Sequence, residues 1–271
     1  MPTLPVEVPA ALAGERADKA VAVLAGLSRS RARRLLEEGR VSLDGHPAGP
    51  RDHVAAGAVL IVDLPAAVVL EPEVVPFAVR YEDEHLAVVD KPPGVVVHPG
   101  AGRSGAGTLA AGILERWPGV RGVGEEGRWG IVHRLDQDTS GLLVVALSGE
   151  AWPALRRMMA RHEAERTYLA LVHGIPGAAT GTVEAPLGRD PRRRGHVKVS
   201  SGGRDARTHY RVLQQWPQRD LALLELRLET GRTHQIRVHL AAIGHPVVAD
   251  TRYGRYDGLA PRTFLHAARL R

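Results

Sequence analysis

The stretch GIVHRLDQDTSGLLVVA, residues 130–146, decides how this chain reads. Ile131 and Val132 lead into a polar cluster of His133, Arg134, Asp136, Asp138, Thr139 and Ser140, and an apolar run follows Gly141 through Ala146. Polar residues between two buried strands are held by a rigid frame, which suits a site needing fixed geometry. The residue types alone favour a tight turn, with Asp138, Thr139 and Ser140 in turn hydrogen bonds and Asp136 paired to Arg134.

Working outward, residues 142–147 read as the strand that leaves this loop, and 86–89, 95–98 and 131–132 as short strands before it. Further strands are expected at 167–172, 183–185, 197–199, 208–212 and 221–228. Helices are expected at 108–116, 152–162 and 234–243, the last with Ile236, Leu240 and Ile243 on one face. Many strands alternating irregularly with few helices indicate an α+β sheet. Nearer the N-terminus, 16–25 and 30–38 read as helices stopped by Gly26 and Gly39, with Ser28 as N-cap of the second. Strands at 41–43 and 59–62 and the turn Asp44-Gly45 complete a small module. The proline- and acid-bearing segment AAVVLEPEVVP, residues 66–76, reads as a linker. The expected organisation is a small α/β domain over 1–66, a linker over 67–80 and a larger domain over 81–271.

Composition excludes several classes. With 271 residues and 44% apolar content the chain can bury a sizeable core, and with no cysteine it has no disulfide, thiolate metal site or thiol nucleophile. No apolar run approaches a membrane span, since the longest, residues 54–64, already contains Asp63. No secretory signal is read at the N-terminus, and a cytoplasmic location is expected. The formal charge of +6 suits a polyanionic partner. Residues 1–66 are neutral, with eight basic and eight acidic side chains, whereas residues 189–211 carry eight basic against two acidic. That basic stretch reads either as a phosphate track or as a solvated hairpin loop.

Other motifs fail on context. GVGEEG, residues 122–127, fits the dinucleotide fingerprint by letter, but no strand precedes it and its glutamates would repel a pyrophosphate. His234 and His239 are five apart, so a helix turns them to different faces, and no metal or cofactor site is expected.

HRLDQDTSG resembles the HRLDxxTSG signature of the RluA-type RNA pseudouridine synthases. In the same order, DKPPGVVVHPG (90–100), ERTYLALVHG (165–174, with Arg166 where lysine is common) and TGRTHQIRVHLAAIGHPVVAD (230–250) resemble that family's other motifs. SRSRARRLLEEGRVSLDG resembles the ribosomal-protein-S4-like RNA-binding module, with Ala17 replacing a customary leucine. The resemblance covers residues 15–270 and implies a mixed, mostly antiparallel catalytic sheet of pseudouridine synthase type behind a small RNA-binding domain. It implies a monomer that isomerises uridine in RNA, most closely 23S ribosomal RNA, without metal or cofactor. Asp136 would be the catalytic carboxylate and Arg237 its cationic partner; Tyr168 would stack on the uracil and help remove the C5 proton. Arg134 would fill the gap left by the flipped base. His133 would shape the turn beside Arg134 and border the RNA with it, and Arg29, Arg31, Arg33 and Arg34 would contact RNA from the N-terminal module. Lys91 is expected to be structural, within DKPPG. Two features stay open. The chain ends at FLHAARLR where relatives usually continue through another strand, so either the sheet edge lacks a strand or the chain is shorter. The same fold could also serve an inactive RNA-binding or ribosome-assembly protein.

Overall fold

A computed structural model of the protein describes residues 5–27, 29–64, 70–99, 105–193 and 195–271, with the side chain of Ser30 outside that set. The chain divides into two compact units, Met1–Ala67 and Val68–Arg271.

In the first unit, helices α1 (Ala17–Leu24) and α2 (Arg29–Glu37) accompany an antiparallel sheet in the order β1 (Pro5–Glu7), β4 (Val59–Val62), β2 (Val41–Leu43), β3 (His46–Pro47). Ala17, Ala20 and Val21 of α1 and Ala32, Leu35 and Leu36 of α2 follow helical spacing, and they bury with Val41 and Leu60 into one core. Both helices stop as expected: the Leu27 N–H bonds back to the Ala22 carbonyl and the Arg40 N–H to the Leu35 carbonyl, each just past a glycine. The expected cap Ser28 lies outside the described residues. β1 and β3 were not foreseen, because strands of three and two residues carry no readable period. Asp18 is buried on α1, where it accepts from Arg16 at 2.7 Å and from Arg29 at 2.9 Å. Burial works against its charge, but these two arginines hold its carboxyl below the usual range.

The second unit is built on an eight-stranded sheet. Its order is β5 (Ala78–Glu82), β6 (Leu86–Lys91), β7 (Ser140–Ala146), β14 (Leu265–Leu270), β8 (Arg166–His173), β13 (Leu221–Leu228), β12 (Arg207–Trp216), β9 (Thr180–Glu184). The pair β7–β14 is parallel and every other pair is antiparallel, which is the mixed, mostly antiparallel sheet expected. β10 (Leu187–Arg189) and β11 (Val197–Val199) form a separate hairpin. Helices α3 (Leu109–Arg116), α4 (Ala151–Ala160) and α5 (Gln235–Ala242) complete the unit. Leu109, Ile113 and Leu114 of α3 share a core with Leu143 and Val145 of β7, Leu224 and Leu226 of β13, and Ile236 and Leu240 of α5. A strand buried along nearly its whole length reads as a continuous apolar run, as β7 does.

Several expectations need correction. The C-terminal segment forms no incomplete edge: β14 sits inside the sheet between β7 and β8. Its sequence LHAARL carries good helix formers, and the open slot between two strands overrides that preference. Residues 95–98 and 131–132 make only the single bridges Val96–Thr108 and Ile131–Val145 instead of strands. α5 is not one-sided, because Gln235, Arg237, Val238 and His239 are buried along with Ile236 and Leu240. Ile243, placed on its apolar face by spacing, is instead exposed beyond the helix end.

Candidate active site

Asp136 lies in the loop between Ile131 and β7, and that loop is fixed from three sides. The Thr139 N–H bonds to the Asp136 carbonyl at 3.2 Å, and the Gly94 N–H bonds to the Gln137 carbonyl at 2.9 Å. Lys91, at the end of β6, is completely buried, and its Nζ donates to the carbonyls of Pro92, Val95 and Gln137 at 2.8, 2.8 and 2.9 Å. Burial pulls its ammonium down to about 8, against the raising fields of Asp138 and Asp136. Lys91 thus ties the DKPPG loop to the residue after Asp136, which is the structural role expected of that motif. On the strand side, the Val144 N–H donates to His133 Nε2 at 3.1 Å, while His133 Nδ1 is sealed from water without a partner. Burial, helped by Arg166, pushes this imidazole down to about 3, so His133 is neutral and bound into the sheet.

The structure brings Asp136 and Arg237 together. Arg237 Nη1 donates to Asp136 Oδ2 at 3.1 Å, while its Nε and Nη2 donate to the two oxygens of Asp250 at 2.7 Å each. Asp250 is fully buried and also accepts the N–H groups of Arg252 and Tyr253 at 3.0 and 3.1 Å. Burial disfavours the Arg237 charge, but the paired Asp250, followed by Asp136, raises its pKa above the ordinary arginine value. The guanidinium also lies 5.2 Å from the centroid of the Tyr253 ring. Sequence reasoning missed both partners. Asp250 closes the last quoted motif and Tyr253 lies just beyond it, with no local pattern to mark either.

Asp136 borders a cavity of about 530 Å³. It is the single carboxylate among the described residues that line it, facing Arg134, Arg156, Arg166, Arg204, Arg232 and Arg237. Tyr168 forms part of the wall on β8 and is buried, which pushes its phenol up to about 12. It is therefore a neutral ring at physiological pH, suited to stacking; proton removal from C5 would first need its phenolate. Arg134 is exposed at the cavity, and neither it nor Arg166, Arg204 or Arg232 has a carboxylate partner among the described residues. The expected basic stretch splits. Lys198 pairs with Asp190, Arg207 with Glu184 and Glu229, and Arg211 with Glu225; Arg204 faces the cavity, and Arg194 lies outside the described residues. In the first unit Arg29 is held by Asp18, Arg33 and Arg34 pair with Glu37 and Glu38 one turn on, and Arg31 is half-buried.

Two family models match the chain: RNA pseudouridylate synthase over residues 85–242 and S4 domain over 15–60. The chain is 45% identical, over 91% of its length and 73% of the relative's, to a protein of Xanthomonas campestris pv. campestris named Ribosomal large subunit pseudouridine synthase D. It is 46% identical, over 98% and 84%, to an uncharacterized RNA pseudouridine synthase of Chloroflexus aurantiacus. The solved structure of Human RNA Pseudouridylate Synthase Domain Containing 1 superposes with a TM-score of 0.60 at 30% identity, covering 73% of this chain and 79% of that one. An anchored carboxylate in an arginine-lined cavity and these likenesses agree: the chain belongs to the RNA pseudouridylate synthase family, RluA-type with an S4 domain ahead of the catalytic sheet, and is an isomerase.

Proposed function

We propose that this enzyme isomerises uridine to pseudouridine in large-subunit (23S) ribosomal RNA, with Asp136 as the catalytic carboxylate. The observation that carries the reading is the state of Asp136: one oxygen is anchored by Arg237 and the other is left for substrate, in a cavity whose remaining charges are arginines. In the reaction the bond from ribose C1′ to uracil N1 breaks, C1′ bonds to C5, and the C5 proton leaves as N1 gains one. No atom is lost or added. A fixed carboxylate serves this sequence by trapping the sugar or base, or by stabilising charge while the base turns. Tyr168 stacks on the uracil, and Arg134 fills the space vacated by the swung-out nucleotide. His133 holds the loop to β7 at the edge of the bound RNA.

The module over residues 1–66 adds RNA affinity. Pairs such as Arg33–Glu37 lie in solvent on an exposed helix and add little to stability, so a phosphate can take over these arginines at low cost. The enzyme is proposed to act as a monomer in the cytoplasm, where ribosomal RNA is made; the Asp136, Arg237, Asp250 and Tyr168 side chains all come from one chain.

Mapping pseudouridine in 23S RNA from cells with and without the protein tests the substrate. One or more uridines should lose the modification in the deletion strain and regain it with wild type, but not with Asp136→Asn. Binding of that variant to target RNA should stay within a few-fold of wild type. Equal modification by wild type and Asp136→Asn would instead favour an RNA-binding or assembly role.

A further inference from the structure

His234 opens α5 in a left-handed backbone conformation, φ +56°, and its side chain makes no capping bond. A non-glycine residue adopts that conformation only under strain. What it achieves is placement. Nδ1 lies 2.7 Å from the Tyr253 hydroxyl, and Nε2 lies 3.9 Å from Asp136 Oδ1. The two rings meet edge-on at 5.5 Å.

The Tyr253 hydroxyl accepts the Val197 N–H at 3.0 Å and has its own proton available to donate to Nδ1, the arrangement adopted in the proposal below. The imidazole hydrogen then sits on Nε2 and faces Asp136 Oδ1. A separation of 3.9 Å is too long for a hydrogen bond, so Oδ1 is oriented but not engaged, whereas Oδ2 is bonded to Arg237. Tyr253 joins both arms: its hydroxyl bears on His234, its ring lies by Arg237, and its N–H bonds to Asp250.

We propose that His234, held by Tyr253 as the Nε2–H tautomer, is a positioning residue that keeps the free oxygen of Asp136 turned toward the reacting ribose. The proposal rests on Asp136 being the catalytic carboxylate. The charged groups facing the imidazole are Asp136 from the loop before β7, Arg237 from α5, and Asp250 and Arg252 from the segment after α5. Burial lowers the imidazole pKa, opposed first by Asp136, with Arg237 and Arg252 lowering it further. Protonation would convert Nε2–H into an imidazolium that pairs with Oδ1 and removes it from the reaction.

The test uses full-length enzyme, 23S RNA fragments carrying tritium at C5 of uridine, and tritium release across pH. His234→Asn tolerates the left-handed backbone but is too short to reach Asp136. It should lower kcat about 10- to 100-fold with KM changed less than about 3-fold. His234→Gln, whose amide N–H reaches the Nε2 position, should recover at least about a fifth of the wild-type kcat and lose the acid limb of the pH profile. Tyr253→Phe frees Nδ1 to take a proton and should move that limb upward by about half a pH unit or more. Wild-type kcat in His234→Asn, a loss confined to KM, or Gln no better than Asn overturns the assignment. If His234→Asn does not fold, an unchanged acid limb in Tyr253→Phe overturns it. The two readings separate cleanly: turnover by Asp136→Asn removes the catalytic assignment, whereas a dead Asp136→Asn beside a fully active His234→Asn removes only the role given to His234.

Discussion

Arg237 divides its three nitrogens between two carboxylates, two to buried Asp250 and one to Asp136. Lysine has the charge but not the planar fork, so it cannot hold both acids in this arrangement. Arg237→Lys is expected to lower kcat at least about 10-fold with KM for RNA little changed, because what is lost is the aim of a carboxylate and not RNA affinity. Steady-state tritium release reads that split, and an equal rise in KM would point to an RNA contact. His133 makes a second prediction at this scale. Its folded pKa near 3 lies below the free value of 6.5, so the unfolded chain binds more protons between those limits. Stability is therefore fully present above pH 6.5 and lost as pH falls toward 3; at pH 5 the loss from this group is about 2 kcal/mol. His133→Gln keeps an acceptor for the Val144 N–H but does not titrate, so its urea midpoint should fall less than wild type's between pH 7.5 and pH 5. A parallel fall would place the acid sensitivity elsewhere. The motifs made Asp136, Arg237 and Tyr168 legible as candidates. Asp250, Tyr253 and the choice of carbonyls that Lys91 clasps were not, since their meaning lies in burial and in pairings across 13 to 56 positions.

At the scale of elements, long strands and amphipathic helices were readable and short or sandwiched ones were not. β13 was placed at its observed bounds because LALLELRL has the two-residue period of a strand, with Ala222, Leu224 and Leu226 buried and Leu223, Glu225 and Arg227 less so. β14 was invisible for the opposite reason: its partners decide its conformation. The junction of β14 with β7 also explains why Gly141 follows the loop that carries Asp136. At φ +115°, a Cβ on Gly141 would stand 2.3 Å from the Ala267 carbonyl oxygen of β14, in backbone that cannot swing away. Next to it, Ser140 Oγ and His266 Nδ1 are 2.9 Å apart, a second tie between the loop exit and β14. Gly141→Ala should destabilise the enzyme by at least about 2 kcal/mol, from overpacking and backbone strain together. A lower urea midpoint at unchanged slope would show it. Ordinary stability with normal activity would mean that the two strands part more easily than their pairing indicates.

For the molecule as a whole, the charge is uneven in a way that bears on RNA. Residues 1–66 are neutral, so the entire +6 belongs to residues 67–271. Much of the basic surface there is already neutralised, Arg207 by two glutamates being the clearest case. Four arginines without a carboxylate partner among the described residues, Arg134, Arg166, Arg204 and Arg232, converge on the cavity that holds Asp136. Sequence composition exposed the excess charge but not this grouping, which depends on which arginines the fold brings to one cavity. If the unpaired set contacts phosphates, each contact releases counterions and adds roughly 0.7–0.9 to the slope of log affinity against log salt. The double variant Arg204→Gln/Arg232→Gln should therefore flatten that slope by about 1.5 and raise KM more than it lowers kcat. Arg207→Gln removes the same kind of charge from a neutralised position and should leave the slope within error of wild type. Filter-binding titrations of a 23S fragment from low to moderate salt distinguish the cases. Equal slopes for all three proteins would mean that the phosphates are held elsewhere and that the cavity arginines act on the base and ribose alone.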